Sequence, residues 1–166
     1  MAGHHQRQWA VAAVAAGLLS VTAAGPASAA DFDAVFPAGT ACDFEVGVDI
    51  SGGKLITREF TDSDGNLVRT LTAGRGTDLT FTNVDTGATV SLKGNGSVSS
   101  STLNPDGSWT VRSTGHNVLI LFPTDVPAGP STTLYVGRVT HEVDAENVFT
   151  IVGSSGRTRD LCDELD

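Results

Sequence analysis

Residues 67–122 decide the fold class, and they read LVRTLTAGRGTDLTFTNVDTGATVSLKGNGSVSSSTLNPDGSWTVRSTGHNVLILF. Short segments of strand-forming residues alternate there with turn sequences at near-regular intervals. Each turn sequence contains glycine: Gly74-Arg75-Gly76, Asp85-Thr86-Gly87, Gly94-Asn95-Gly96, Asn104-Pro105-Asp106-Gly107 and Thr114-Gly115-His116-Asn117. Glycine adopts the positive φ of tight hairpin turns without a steric penalty. The stretch therefore predicts a series of short strands joined by hairpin turns.

Strand patterns continue on both sides of this stretch. Apolar residues alternate with polar or small ones over 44–50, which predicts a strand with one buried face. Residues 118–122 are apolar without interruption, so we expect that strand to be covered on both faces. Further strands are predicted at 54–61, 133–142 and 148–154, and no segment has a convincing helical period.

These patterns predict an all-β fold of about ten strands in a single antiparallel meander. We expect a closed or nearly closed β-barrel, because closure removes the unpaired edge strands that promote aggregation. A β-sandwich of two packed sheets is the alternative, since sequential hairpins are compatible with both architectures. Strand order would distinguish the two, and the spacing of hairpins does not specify it.

The first part of the chain has the pattern of a secretory signal peptide. Arg7 precedes an apolar run at 9–24, and Ala27-Ser28-Ala29 fits the small-x-small cleavage motif. The apolar core is too short and too rich in alanine to favour a membrane anchor. We predict a signal peptide at 1–29, a single all-β domain at 30–166, and a secreted, extracellular protein.

The mature chain is strongly acidic. Without Arg7 it carries nine Lys and Arg against nineteen Asp and Glu, one unit more negative than the formal −9 of the full chain. An acidic surface repels the phosphates of nucleic acids and anionic lipids. We therefore predict no nucleic-acid partner and no membrane partner after signal cleavage. We expect a monomer whose ligand is a small molecule or an extracellular protein.

The two cysteines, Cys42 and Cys162, lie near opposite ends of the mature chain. An even number of cysteines in an exported chain predicts a disulfide. The alternative is a reactive thiol pair, but the two residues lack the close spacing of a redox motif. A disulfide closing a loop of about 120 residues would stabilise the fold by up to about 4–5 kcal/mol.

Two turn-like sequences resemble functional loops. Asp62-Ser63-Asp64-Gly65-Asn66 places oxygen-bearing side chains at alternate positions, as calcium loops do, but its glycine is fourth rather than sixth. Asp85-Thr86-Gly87-Ala88 matches the short signature of retroviral-type aspartic proteases, yet the segment that enters it is half polar. Hairpin turns require the same residue types, so we predict turns at both places.

Histidine-based chemistry has few candidates in the mature chain. His116 and His141 are its two histidines, and no Gly-x-Ser-x-Gly sequence accompanies them. Two histidines and a bridged cysteine pair supply too few ligands for a zinc site. We therefore predict no catalytic residue, no metal and no cofactor.

Two arginines are the candidate ligand-binding residues. Arg58 and Arg138 each lie among apolar residues of a predicted strand. If those strand faces line a barrel interior, the two guanidinium groups could bind an anionic or hydroxylated ligand. The alternative is that both pair with Asp or Glu near strand ends. Residues 123–132 form the one long loop, with three prolines, and are a second candidate for binding.

Three short sequences carry a resemblance to known proteins: Phe36-Pro37-Ala38-Gly39-Thr40-Ala41-Cys42-Asp43-Phe44, residues 117–125, and Asp160-Leu161-Cys162. With these the chain resembles a group of small uncharacterised secreted proteins of actinobacteria, over most of its mature length. The resemblance implies export, a paired Cys42 and Cys162, and an actinobacterial source. It brings no activity and no catalytic residue.

The sequence thus favours a non-enzymatic extracellular binding or interaction module. The alternatives are a small secreted hydrolase and a structural or inhibitory protein that acts through the loop at 123–132. A hydrolase would need polar residues that converge around His116, His141 or paired carboxylates.

Overall fold

Ten strands make two antiparallel sheets in the computed structural model, which describes residues 31–166. The strands are β1 (Ala34–Phe36), β2 (Val46–Ser51), β3 (Lys54–Thr61), β4 (Leu67–Arg75), β5 (Asp78–Asn83), β6 (Thr89–Leu92), β7 (Gly96–Leu103), β8 (Trp109–Leu121), β9 (Ser131–Val143) and β10 (Phe149–Asp160). The small sheet has the order β1-β2-β5-β6, and the large sheet has the order β10-β9-β8-β7-β4-β3. The prediction of an all-β fold is confirmed. The predicted signal peptide at 1–29 lies outside the described residues.

The strands of the described chain form two open sheets and no closed barrel, so the predicted closed or nearly closed barrel gives way to an arrangement consistent with the sandwich alternative. The chain crosses from one sheet to the other three times, after β2, after β4 and after β6. The hairpin of β5 and β6 therefore leaves the meander and joins β2 instead. The edge strands of the large sheet, β10 and β3, do not pair with each other, so the six described strands of that sheet form no closed cylinder.

Two of these crossings touch each other through glycine backbone. The backbone N–H of Gly76 donates to the carbonyl oxygen of Asn95 at 3.1 Å. A Cβ on Gly94 would overlap the carbonyl oxygen of Gly76. Asp78 accepts a hydrogen bond from the N–H of Gly94 at 2.6 Å. This hydrogen bond, with the charges of Lys93 and Arg75 beside it, holds the pKa of Asp78 below its ordinary value.

Only two of the five predicted glycine turns join neighbouring strands. Hairpins form at Asp85-Thr86-Gly87 and at 104–107, between β5 and β6 and between β7 and β8. The glycines at 74–76 and 94–96 lie where the chain changes sheets, and 114–117 lies inside β8. Glycine also permits a crossing or a bend of the backbone, so its presence alone did not identify a turn.

Four glycines form a line across the large sheet. Gly115 of β8 pairs with Gly137 of β9, which pairs with Gly156 of β10. On its other side Gly115 faces Ser97 of β7, and Ser97 faces Gly74 of β4. The four glycines have positive φ, from 102° at Gly115 to 146° at Gly74. A Cβ on any of the four would overlap a backbone carbonyl oxygen of the adjacent strand. We call these four residues the glycine row.

The contacts of the loop at 122–130 show that the large sheet is bent, and we infer that the bend lies at the glycine row. The loop at 122–130 precedes β9, yet the N–H of Val126 donates to the carbonyl oxygen of Phe149 at 2.8 Å, and Val126 accepts from Ile151 at 2.7 Å. Phe149 pairs with Val143, the last residue of β9. A straight strand of 13 residues would hold these two ends about 43 Å apart. The strands therefore bend back, at the place where glycine allows it.

The hydrophobic core lies between the small sheet and the part of β9 that precedes the glycine row. Its buried members are Cys42, Val46, Val48, Phe81, Val90, Leu134, Leu161 and Leu165. The last two belong to a helix that the sequence did not predict, α1 (Leu161–Leu165). Asp160 caps this helix by accepting the N–H groups of Cys162 and Asp163.

The predicted disulfide is confirmed, since Cys42 and Cys162 are bonded with their Cα atoms 5.6 Å apart. It joins the segment before β2 to α1. Among the described residues, no helix is long and apolar enough to cross a bilayer.

Candidate functional site

The two predicted ligand-binding arginines lie far apart on the large sheet. Arg58 is on β3, the edge strand, and Arg138 is on β9, with β8, β7 and β4 between them. Four strand spacings correspond to about 19 Å. Both side chains are exposed, and neither makes an ion pair within the described part of the chain. The barrel interior that would have brought them together is absent, and their role in ligand binding stays a prediction.

The predicted binding loop is held against β10. The structure begins β9 at Ser131, so the loop proper is 122–130. Asp125 is buried, and its carboxylate accepts the N–H groups of Phe122 at 2.6 Å and Phe149 at 2.8 Å. Val126 at the tip is 53% exposed. The carboxylate of Asp125 thus fixes the loop, whose role in partner binding stays a prediction.

The two histidines occupy different environments. His141 is 5% exposed and stacks on Phe149 with ring centroids 5.2 Å apart, and its Nδ1 has no hydrogen-bond partner among the described residues. Burial lowers the pKa of His141 from its ordinary value of 6.5. His116 is exposed on β8, beyond the glycine row. Residues 31–166 contain no group of three or more His, Cys, Asp or Glu that could hold a metal ion.

We expect the free energy of unfolding to fall as the pH decreases from 6.5 towards 5. The unfolded chain protonates His141 near its ordinary pKa, whereas the folded chain keeps the ring neutral to lower pH, so acid favours the unfolded chain. Carboxyl groups with lowered pKa, such as Asp78 and Glu164, add a similar loss only as the pH falls below their ordinary values of 3.8 and 4.5. Urea unfolding at pH 7, 6 and 5 measures the effect. The variant His141→Phe should show a flatter dependence, and an unchanged slope would contradict the assignment.

A groove of about 640 Å³ opens between the two sheets. One wall comes from Leu79 of β5, Leu92 of β6 and the crossing that follows β6. The other wall comes mainly from 116–119 of β8, Leu134 and Val136 of β9, and 157–159 of β10, on the same side of the glycine row as the core. The groove exists because the small sheet ends at β6, a strand of four residues, whereas the facing strands have 12 or 13. The small sheet is therefore too small to cover the large one.

The register of the large sheet sets the order of side chains on the second wall. His116, Val136 and Arg157 are cross-strand neighbours on β8, β9 and β10. Two residues further along the strands, Val118, Leu134 and Arg159 form a second row of cross-strand neighbours. Side chains two residues apart on a strand share a face, so the two rows face the same way. All six residues line the groove. An apolar strip on β9 is therefore flanked by a histidine on one side and by arginines on the other.

The apolar part of the groove is continuous with the hydrophobic core. Leu134 belongs to the core cluster, and Val118, Val136, Leu79 and Leu92 pack against it while remaining only partly buried. Asn117 also lines the groove. Its Nδ2 is buried without a hydrogen-bond partner among the described residues, which costs about 1–3 kcal/mol where no acceptor is supplied. The groove thus combines solvent-accessible apolar surface with polar groups.

No protein-family model, curated protein or solved structure matches the chain. The resemblance to secreted actinobacterial proteins accordingly stays a prediction.

Sequence reasoning singled out only His116 among the groove residues. Arg157 and Arg159 are on a strand that was predicted to end at 154, so they were not considered as wall residues. The available signal was weak: Arg157 and Arg159 are two residues apart and share a strand face. Whether that face of the strand lines a groove depends on which strands pair with it, and this is not encoded in the local sequence.

Proposed function

We propose that the protein is a non-enzymatic extracellular binding module that holds a small molecule in the groove between its sheets. The observation that carries this proposal is the apolar strip of the groove, which joins the core yet remains open to solvent. Its volume of about 640 Å³ lies within the range of known small-molecule sites. Such a pocket exposes apolar surface that a ligand would bury.

Two further observations favour binding over hydrolysis. His116 is the one histidine among the described residues that line the groove. Its side chain makes no hydrogen bond with another described residue, whereas a general base is normally oriented by such a bond. The groove lining also contains no carboxylate. The disulfide supports an extracellular setting, because such bonds persist in oxidising compartments.

The proposal predicts that filling the groove weakens binding. The probe is N-phenyl-1-naphthylamine, a neutral aromatic molecule whose fluorescence rises in apolar sites. We expect Val136→Phe to weaken its binding about tenfold or more, because the added ring occupies the apolar strip. Val136 is only partly buried, so the variant should still fold.

The matched control is Val152→Phe, at a valine of β10 that is 52% exposed and outside the groove lining. It should bind the probe as the unchanged protein does. Urea unfolding of both variants checks that they are folded. Equal binding by the two variants, or no binding by the unchanged protein, would refute the groove as the binding site.

A further inference from the structure

The groove concentrates positive charge on an acidic protein. The described chain has nine Lys and Arg and nineteen Asp and Glu. Three of the nine basic residues line the groove, Lys93, Arg157 and Arg159, and none of the nineteen acidic residues does. A ligand that enters the groove therefore meets positive charge on a surface that is negative elsewhere.

Two of these three cations are already paired. Arg159 makes a bidentate contact with Glu164, with Nε to Oε1 at 2.8 Å and Nη2 to Oε2 at 2.5 Å. Lys93 Nζ lies 3.7 Å from Asp78 Oδ2. Arg157 makes no ion pair with any other described residue. Its guanidinium group, which offers a fork of donors suited to carboxylate, sulfonate or phosphate, is therefore the charge still to be neutralised.

The positive charge of Arg157 lies next to the apolar strip of the groove. Arg157 pairs directly with Val136, which places the two side chains about 5 Å apart on one face. Val136 in turn pairs with His116. An anion bound at Arg157 could thus continue onto Val136 and Val118 without leaving the groove.

We propose that the ligand is an amphiphilic anion, with an acidic headgroup that pairs with Arg157 and an apolar body that lies on Val136 and Val118. This inference rests on the proposed function, because it concerns the same groove. The acidic headgroup would bind the guanidinium group of Arg157, which has no ion-pair partner among the described residues. The apolar body would lie on the apolar strip that continues the core.

The test compares two probes that differ in one group. 8-Anilino-1-naphthalenesulfonate has the aromatic body of N-phenyl-1-naphthylamine and adds a sulfonate. Fluorescence titration of the purified full chain at low ionic strength measures both dissociation constants. We expect the sulfonate probe to bind about tenfold more tightly, and we expect this preference to shrink as salt is added.

Arg157→Gln should remove the preference, so that the sulfonate probe binds no more tightly than the neutral probe does. The control is Arg138→Gln, which removes an exposed arginine of the adjacent strand outside the groove lining and should keep the preference. Equal affinity for both probes in the unchanged protein, or a preference that survives Arg157→Gln, would overturn the anion inference and leave the groove proposal intact. Failure of the neutral probe to bind would instead remove the groove proposal and this inference with it.

Discussion

Replacing both Cys42 and Cys162 by alanine is expected to lower the free energy of unfolding by about 4–5 kcal/mol. The disulfide closes a loop with a sequence separation of 120, so its loss greatly increases the conformational freedom of the unfolded chain. It also ties α1 to the segment before β2, and α1 supplies Leu161 and Leu165 to the core. Equilibrium urea unfolding of the variant and the unchanged protein measures the difference.

Reduction of the unchanged protein provides the matched control. Treatment with a thiol reductant should lower the urea midpoint to that of the double variant, because both remove the same covalent link. Asp160 still caps α1 in the variant, so the helix itself is expected to form. A double variant with an unchanged midpoint would show that the two ends are held mainly by packing of the two leucines.

Replacing Gly137 by alanine is expected to lower the free energy of unfolding by about 2–4 kcal/mol. Gly137 has a φ of 141°, which residues with a Cβ rarely adopt. A Cβ at this position would also overlap the carbonyl oxygen of Ser155 on β10. The bend of the large sheet brings Val126 to Phe149, so we expect the variant to lose the contacts of the loop at 122–130 as well.

Gly153→Ala is the control for this substitution. Gly153 lies on the adjacent strand β10, does not have a positive φ, and has no heavy atom within 4 Å of the place where a Cβ would lie. The free energy of unfolding of the Gly153→Ala variant should therefore differ from that of the unchanged protein by no more than about 0.5 kcal/mol. Urea unfolding and amide hydrogen exchange at Ile151, which donates to Val126, together measure stability and loop docking. Equal stability of both variants would contradict a special role for the glycine row.

The glycine row also explains why the sequence did not reveal the groove. The sequence predicted that a turn at 114–117 separates two strands, and it offered Arg58 and Arg138 as ligand-binding residues on the condition that their strand faces line a barrel interior. In the structure β8 continues through Gly115, and the groove lies beyond that residue. The arginine of the groove that makes no ion pair with a described residue is Arg157, which is the cross-strand neighbour of Val136. Its place beside the apolar strip of the groove follows from the pairing register of β9 and β10, which the sequence alone does not reveal.

The sequence by itself determined most of the strands, the hairpins at 85–87 and 104–107, and the disulfide. These features depend on local alternation of apolar and polar residues, on the conformational freedom of glycine, and on the pairing of two cysteines. Each is encoded within a few neighbouring residues or by simple chemistry, so it can be predicted without knowing which strands meet.

Only the tertiary structure decided the rest. Two open sheets replaced the predicted barrel because β5 and β6 pair with β2, a choice among strands of similar pattern that are far apart in sequence. Gly74 and Gly115, which the sequence placed in turns, lie within strands of the large sheet because cross-strand pairing aligned them in the glycine row. The groove arises because a sheet of four strands cannot cover one of six. Such properties come from contacts between distant segments, and the free energy of those contacts depends on strand order, which local sequence does not encode.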